Sequence, residues 1–453
     1  MLCTTFFVFY LFLFPKITIF AEFWKKALLV IMKRRIRLFV AIGIVLLGVF
    51  VCIFKFLYTK DYGHKVVVCI PVYGQRYALG EEATRITNFD SLRIKYNGRI
   101  VTEKLDYTFG YFDHSSQFKQ WVKRILHYDK KAFELSVYSM AEELASKLGE
   151  DTIICIFPGG HGMNTIEQLM KPAPPYLKFI KEIECAYKKA NERGWEFIVP
   201  AVCWMQGESD IVEYPDYDYK EYFHRMYDNL NTDIKQVTHQ KDDIRIICYQ
   251  ASTITKGLRY KANNYDATEP KTPTAQMELI RDDSLIWASG PTYPYDFVNE
   301  SLHIDAVGQQ GIGKLAAKSA LGIIRNQKRN IGLMPISYKV VGNNIKIDYN
   351  VPCPPLCFDT IQVNKVDNYG FNVIRRDGVD VVSDVIIDQN SVVIHCKASP
   401  GNCKLRYGVN GEFLKGGRKV GPRGNLRDSN DKCPEWSLLF EYKLSNFSGD
   451  SSI

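Results

Sequence analysis

The body of the chain lacks the net charge that a polyanion-binding protein needs. The 453 residues carry 58 Lys and Arg against 50 Asp and Glu, an excess of +8. Residues 1–60 hold nine of the basic residues and one acid, which leaves 49 of each sign in the remaining 393 residues. A mildly basic protein invites a nucleic-acid hypothesis. Because the excess lies entirely in the N-terminal segment, we predict no nucleic-acid partner.

The sequence also lacks the cysteine patterns of a metal site. None of its 12 cysteines forms a C-x-x-C pair or a Cys/His spacing typical of zinc. Four of them (Cys69, Cys155, Cys203 and Cys248) lie in apolar runs and are typical of small buried hydrophobic residues. Internal repeats and low-complexity tracts are missing as well. We therefore predict a globular protein that uses no metal and no cofactor.

The N-terminal segment has the pattern of a membrane anchor. Residues 38–54 are seventeen uncharged, mostly apolar residues between Arg37 and Lys55, and residues 56–58 extend the run to the interface. No small-residue cleavage site follows, which favours an uncleaved anchor over a signal peptide. Met1 and Met32 are both possible starts, and lipidation of Cys52 is a lesser alternative. We expect the body to lie on the extracytoplasmic side, in a periplasm or at a cell surface.

After residue 60, buried strands alternate with helices. Continuous apolar runs at His64–Val72, Asp151–Phe157, Glu196–Cys203 and Ile244–Tyr249 predict strands covered on both faces. Helical stretches at Tyr176–Arg193, Tyr217–Val237 and Gly308–Arg325 lie between or after them. This alternation predicts a parallel sheet with helices on both faces. Short β-branched segments broken by Gly, Asn and Pro predict a sandwich-like β-rich module over residues 331–453.

Polar and glycine-rich segments follow three of the buried strands and precede the last helix. They are residues 73–80 (YGQRYALG), 157–162 (FPGGHG), 204–210 (WMQGESD) and 299–303 (NESLH). In open α/β sheets the ligand site forms outside the carboxyl ends of the strands. Glycine-rich turns there let backbone N–H groups converge on a developing oxyanion. The four segments therefore predict a catalytic or ligand-binding site.

These segments, in this order, resemble the SGNH hydrolases, and among them the sialate O-acetylesterase-like carbohydrate esterases. The resemblance covers about residues 64–326, and its W-x-Q-G-E-S-D element at 204–210 is specific. It implies a flavodoxin-like SGNH domain over residues 61–330, between the anchor at 1–60 and the module at 331–453. It also implies an acetylated carbohydrate as the substrate or ligand.

The resemblance assigns a role to each matching residue. His303 corresponds to the general base and Glu300 to the acid that orients it, although many members carry Asp there. Gln206 corresponds to a side-chain oxyanion donor and Gly160 to a backbone donor. Two further residues complete the oxyanion and substrate-binding set: Gln75, from the family's G-Q pair, and Glu208, a carboxylate near the histidine.

Position 76 departs from the family pattern. The family carries its nucleophilic serine after G-Q, and this chain has Arg76 there. A guanidinium is protonated and cannot attack a carbonyl. Three interpretations stay open: a degenerate esterase that binds acylated sugar without cleaving it, a substitute serine, or a recent single-base change or sequence error. The substitute candidates are Ser115, Ser116, Ser209 and Ser301.

The sequence thus predicts a carbohydrate O-acetylesterase homologue whose activity depends on position 76. The alternative is an inactive glycan-binding or scaffold protein on the same fold. In that alternative Arg76 contacts an anionic sugar or pairs with Glu208 or Glu300.

Overall fold

The computed structural model describes residues 64–105, 133–213, 215–252, 269–412 and 415–444, the backbone of 450–452, and a few single positions before residue 64. The chain divides into two units, Met1–Gly63 and His64–Ile453. Nearly all of the predicted membrane segment at 38–58 lies outside the described residues, so it stays a prediction. Within the described part of the chain, none of the helices has the length and apolar character needed to cross a bilayer.

The N-terminal part of the second unit alternates strands and helices, as predicted. Its strands are β1 (Val66–Cys69), β2 (Val72–Gly74), β3 (Ile100–Val101), β4 (Thr152–Cys155), β5 (Pro158–Gly160), β6 (Glu196–Ile198), β7 (Ala201–Met205), β8 (Arg245–Gln250) and β9 (Ile286–Pro291). Its helices are α1 (Phe89–Lys95), α2 (Ser136–Lys147), α3 (Pro174–Glu192), α4 (Glu208–Glu213), α5 (Tyr219–Thr238), α6 (Lys271–Asp282) and α7 (Ala306–Ile324). All pairings among β1–β9 are parallel.

Prolines interrupt two of the strands that the sequence predicts as continuous. Pro71 separates β1 from β2, and Pro200 separates β6 from β7. Proline has no N–H to donate to a ladder, so regular pairing breaks at these positions. Backbone bonds from Ile70 to Cys155 and from Val72 to Phe157, both 3.0 Å, carry the pairing across the break. The strands therefore form two successive tiers, β3-β4-β1-β6 and β5-β2-β7-β8-β9.

Taken along the chain, the two tiers have a flavodoxin-like strand order. The columns run β4/β5, β1/β2, β6/β7, β8 and β9, which is order 2-1-3-4-5, with β3 added at one edge. In this order the ligand crevice opens where the winding reverses, between the column of β1 and β2 and the column of β6 and β7. The carboxyl ends of β2 and β7 meet at that point.

Alternate strand residues pack on opposite faces of the sheet. Val67 and Tyr73 belong to the core that contains Phe179 of α3 and Phe223 of α5. Val68 and Val72 belong to the other core, with side chains of α2 and α7. This two-residue alternation buries both faces, as the continuous apolar runs predict. Helices therefore cover both sides of the sheet.

The C-terminal part is an antiparallel β module. Its strands are β10 (Met334–Val341), β11 (Asn344–Asn350), β12 (Leu356–Phe358), β13 (Phe371–Ile374), β14 (Val382–Asp388), β15 (Ser391–Cys396), β16 (Lys404–Tyr407), β17 (Leu426–Asp428), β18 (Phe440–Lys443) and β19 (Asp450–Ser452). They form sheets in the orders β14-β15-β11-β10-β19, β13-β16-β18 and β12-β17. The β-rich character predicted after residue 331 is confirmed.

Candidate active site

Three strand ends bring the predicted segments together. Gln75 and Arg76 follow β2, and residues 206–208 follow β7. Gly160 is the last residue of β5, and residues 161–162 come directly after it. β2 pairs with both β5 and β7, with Gly74 opposite Gly160 on one side and Met205 on the other. The nucleophile-position loop therefore lies between the other two, at the reversal point of the sheet.

Gly160 permits this close approach of β5 to β2. Its φ of +117° is a backbone conformation that favours glycine, and a Cβ at this position would lie 1.8 Å from the carbonyl oxygen of Gly74. The G-G motif thus has a steric reason in this chain. A larger residue at position 160 would push the strand end away from the Arg76 loop.

Arg76 lies directly against the predicted base. Its Nη1 is 3.1 Å from Nε2 of His303. Its Nε lies 3.9 Å from Oε2 of Glu81, and the Arg76 side chain keeps 24% of its surface exposed. The ion pair is therefore with Glu81, and among the described residues no ion pair joins Arg76 to Glu208 or Glu300.

His303 is held by a carboxylate on its opposite ring nitrogen. Its Nδ1 is 2.7 Å from Oε2 of Glu82. Because a guanidinium only donates, Nε2 must accept from Arg76, and Nδ1 therefore donates to Glu82. This is the neutral tautomer that a general base needs, with its Nε2 lone pair toward the nucleophile position. Burial lowers the pKa of His303; the Arg76 charge acts in the same direction, and Glu82 opposes both.

The carboxylate bonded to His303 in this structure is Glu82 and not Glu300, the predicted orienting acid. Glu300 ends a short 3-10 turn in which it and Asn299 both adopt left-handed backbone, with φ of 54° and 53°. Among the described residues, no hydrogen bond or ion pair joins Glu300 to His303. The acid-x-x-His spacing therefore does not bring that carboxylate onto the imidazole.

Sequence reasoning missed Glu82 because its contact with His303 spans 221 residues. The sequence did contain a local signal for an acid near the site: in residues 80–82 (GEE), the two acids lie five and six residues after Arg76. Glu82 has a φ of +66°, and its side chain is about half exposed. A carboxylate so close in sequence to the nucleophile position was a candidate orienting acid.

A buried polar network lies beneath the Arg76 loop. Gln75 donates to Oε2 of Glu208 over 2.9 Å and accepts from the Ser209 N–H over 3.2 Å. Tyr249 donates to the same Glu208 oxygen, while Oε1 of Glu208 is buried without a partner among the described residues. Burial raises the pKa of Glu208 to about 7, although the Tyr249 bond and the Arg76 charge act in the opposite direction. The network fixes the base of the loop.

Gln206, the predicted side-chain oxyanion donor, has hydrogen-bond partners inside the protein. Its side chain is fully buried, and its Nε2 donates to Asp210 and, over 3.3 Å, to the carbonyl of Asn164. Its Oε1 accepts from Tyr219 over 3.0 Å. Both amide protons are thus used inside the protein, and burial raises the pKa of Asp210 to about 6. Gln206 shapes the loop after β7.

Backbone donors remain at the site. The Arg76 N–H has no hydrogen-bond partner among the described residues. On either side of Gly160, the Val72 N–H donates to the Phe157 carbonyl and the His161 N–H donates to the Gly74 carbonyl. Because parallel ladders use alternate residues, the Gly160 N–H lies outside the β2 ladder. Gly160 thus stays a candidate oxyanion donor, and the Arg76 N–H joins it.

The substitute serines have no described contact with the base. Ser209 is 9% exposed and its N–H bonds Gln75. The Ser301 N–H bonds the carbonyl of Val298 within the turn before His303. Ser115 and Ser116 lie outside the described residues. In the parts of the chain that the structure describes, no three His, Cys, Asp or Glu side chains group as metal ligands.

Comparison with known proteins supports the resemblance. The family model described as carbohydrate esterase, sialic acid-specific acetylesterase, matches residues 114–322. The matched range contains Gly160, Gln206, Glu208 and His303, and it begins after the Arg76 loop. No curated protein matches the chain.

One solved structure of low identity shares the fold, and others align with lower TM-scores. A carbohydrate acetylesterase from Xanthomonas citri is 13% identical, with a TM-score of 0.53 over 84% of this chain and 80% of that one. The structure titled NanS is 15% identical, with a TM-score of 0.41 over 59% and 99% of the two chains. A protein from Arabidopsis thaliana is 17% identical, with a TM-score of 0.39 over 57% and 98%. Only the first of these supports a statement about the fold.

Proposed function

We propose that this chain belongs with the sialic acid-specific acetylesterases among the carbohydrate esterases and binds acetylated carbohydrate without cleaving it by the serine mechanism. The match of the family model to residues 114–322 supports the family assignment. The fold shared with a carbohydrate acetylesterase and the carboxylate-bonded His303 support this proposal. The nucleophile of that chemistry is missing, because Arg76 stands in its place.

The contact between Arg76 and His303 carries the proposal. A serine esterase needs the Nε2 lone pair of its histidine to take the proton from the nucleophile. Here an Arg76 N–H donates to that lone pair over 3.1 Å. The base is therefore occupied by a group that has no proton to give up at neutral pH and no lone pair for attack.

The same arrangement supports binding. A guanidinium has five N–H donors, and the described contacts of Arg76 place one on His303 and bring Nε to 3.9 Å from Glu81. The outer N–H groups and the backbone N–H groups of Arg76 and Gly160 are donors for ester, hydroxyl or carboxylate oxygens of a sugar. Acetylated carbohydrate is the ligand class that the family and the Xanthomonas citri relative suggest.

Assays of the full chain test the proposal. Wild type, Arg76→Ser, Arg76→Ala and Arg76→Ser/His303→Ala are compared on an aryl acetate, acetylated sialic acid and acetyl-xylan. We expect wild type to match the Arg76→Ala control and to bind at least one acetylated sugar in calorimetric titration. Wild-type turnover that disappears in His303→Ala would overturn the proposal and show an active enzyme with another nucleophile.

We also propose that the body is anchored through residues 38–58 on the extracytoplasmic side. The apolar run and its basic flank support this placement. Protease treatment of cells expressing the chain, after any outer membrane and wall are removed and with the inner membrane intact, tests it. Degradation of the body in these cells is the expected result, and protection until the inner membrane is lysed contradicts it.

A further inference from the structure

One loop of the C-terminal module packs directly on the segment that carries His303. We call residues 415–421 the clamp loop and residues 295–305 the histidine loop. The Arg418 N–H bonds the carbonyl of Tyr295 over 3.1 Å. The Arg418 guanidinium makes a bidentate pair with Asp296, with Nε–Oδ1 and Nη2–Oδ2 distances of 2.9 and 2.6 Å. Such two-point pairs fix orientation as well as charge.

The clamp loop is also fixed to its own module. The third guanidinium nitrogen of Arg418 donates to the carbonyl of Gln362 over 3.2 Å, and the Arg418 carbonyl accepts from Asn364 over 3.0 Å. The pair with Asp296 keeps the pKa of that carboxyl below its ordinary value. Arg418 therefore connects the β-rich module to the histidine loop with hydrogen bonds on both sides.

Apolar packing continues the contact toward the site. A Cβ on Gly416 would lie 2.6 Å from the ring of Phe297, so only glycine lets the clamp loop approach this closely. The buried Phe297 ring also packs against Tyr77, at an edge-to-face centroid distance of 6.1 Å. Tyr77 follows Arg76 in the chain and donates to the carbonyl of Leu302 over 2.5 Å. Phe297 thus lies between the clamp loop and the residue next to Arg76.

The histidine loop closes on itself across the same residues. Phe297 forms an antiparallel bridge with Ile304, and the Val298 N–H bonds the His303 carbonyl over 2.8 Å. A displacement of Asp296 or Phe297 therefore moves the backbone of His303. Asp305, which caps α7, is held to the Asp296 carbonyl over 3.0 Å. The histidine has little independent freedom.

We propose that Arg418 of the C-terminal module is a positioning residue for His303, acting through Asp296 and Phe297. The module therefore takes part in the site, although it supplies no group that touches the imidazole among the described residues. The role rests on the site assignment and not on whether the wild-type chain cleaves esters. A misplacement of about 1 Å in a catalytic group costs about 10²-fold in rate.

The test compares Arg418→Gln with Arg375→Gln in the full chain. Arg375 pairs with Asp377 over 2.7 Å in the same module, with both side chains about half exposed, so it controls for loss of an arginine–carboxylate pair. The readout is the pKa of His303 from its imidazole NMR signals, assigned with His303→Gln. We expect the His303 pKa to rise in Arg418→Gln. The pKa is lowered mainly by burial, and water would enter around the imidazole in this variant. In Arg375→Gln the His303 pKa should stay unchanged.

Turnover gives a second readout in the Arg76→Ser background. There Arg418→Gln is expected to lower kcat about tenfold with KM nearly unchanged, and Arg418→Lys to restore part of it. If Arg76→Ser has no activity, the site lacks more than its nucleophile, and the His303 pKa alone decides the positioning role. A folded Arg418→Gln with the wild-type His303 pKa overturns that role. If Arg418→Gln does not fold, Arg418→Lys is judged by the same pKa criterion.

Discussion

His303 and Arg76 face each other across 3.1 Å, but their surroundings differ in what they retain. On the histidine side, Glu82 orients the ring and burial keeps it neutral, as in a working general base. On the other side, the loop keeps its G-Q pair and its buried Gln75–Glu208 network, and Arg76 stands where the family pattern has serine. The comparison leads us to propose that the reacting side chain is what this site lacks for serine chemistry.

The largest expected effect follows from restoring that one side chain. Arg76→Ser places a hydroxyl beside the free Nε2 of His303 and removes the cation. Removing the nucleophile of a serine hydrolase costs about 10⁶-fold, so we expect the variant to exceed wild type by about 10³-fold or more on an aryl acetate. Initial rates of aryl acetate hydrolysis measure it.

Arg76→Ala is the matched control, because it opens the site without supplying a nucleophile. It should stay at the wild-type level. Equal rates in the serine and alanine variants would show that the strand-end geometry is lost as well, and that the comparison between the two sides does not hold.

The next effect separates two candidate acids. In the Arg76→Ser background, Glu82→Gln should lower kcat about 10²-fold, because the imidazole loses the carboxylate that fixes its tautomer. The half-exposed position of Glu82 lets water replace part of this function, so we expect less than a complete loss. Glu300→Gln should change kcat by less than about twofold. The opposite ranking would restore the prediction made from the acid-x-x-His spacing.

The sequence predicts the layers of the fold better than the details of the site. Runs such as 66–72 are apolar at every position, which identifies strands buried on both faces. The break at Pro71 arises because proline has no N–H to donate to the neighbouring strand. Which strand is the neighbour is known only once the sheet is paired. The same holds for Gln206: its motif predicts a polar residue at a strand end, but Asp210 and Asn164 occupy its amide protons only in the folded chain.

A smaller effect concerns stability beneath the Arg76 loop. Burial raises the pKa of Glu208 from an ordinary 4.5 to about 7. The folded state therefore binds more protons than the unfolded state between these values, and stability falls as the pH rises through them. One pKa unit corresponds to about 1.4 kcal/mol, so ionising Glu208 opposes folding by up to about 3 kcal/mol at pH 8.

Glu208→Gln removes this cost while keeping an acceptor for Gln75 and Tyr249. Urea unfolding should show the variant gaining stability relative to wild type at pH 8 and little at pH 5. Glu213→Gln, an exposed change on the same helix α4, is the control and should give no such difference. A gain of the same size at both pH values would mean that Glu208 is not the titrating group.

The smallest expected effect is a shift in the titration of the base. Burial is the main cause of the lowered His303 pKa, and the Arg76 charge adds to it. The pKa of His303 should therefore be higher in Arg76→Ser than in wild type, yet Arg76→Lys, which keeps a cation, should stay near wild type. In Arg76→Ser, kcat should rise with pH and level off once His303 is neutral, because only the neutral ring accepts the proton. An unchanged His303 pKa in Arg76→Ser would mean that the Arg76 charge does not act on the base, and the two sides of the site would then be electrostatically independent.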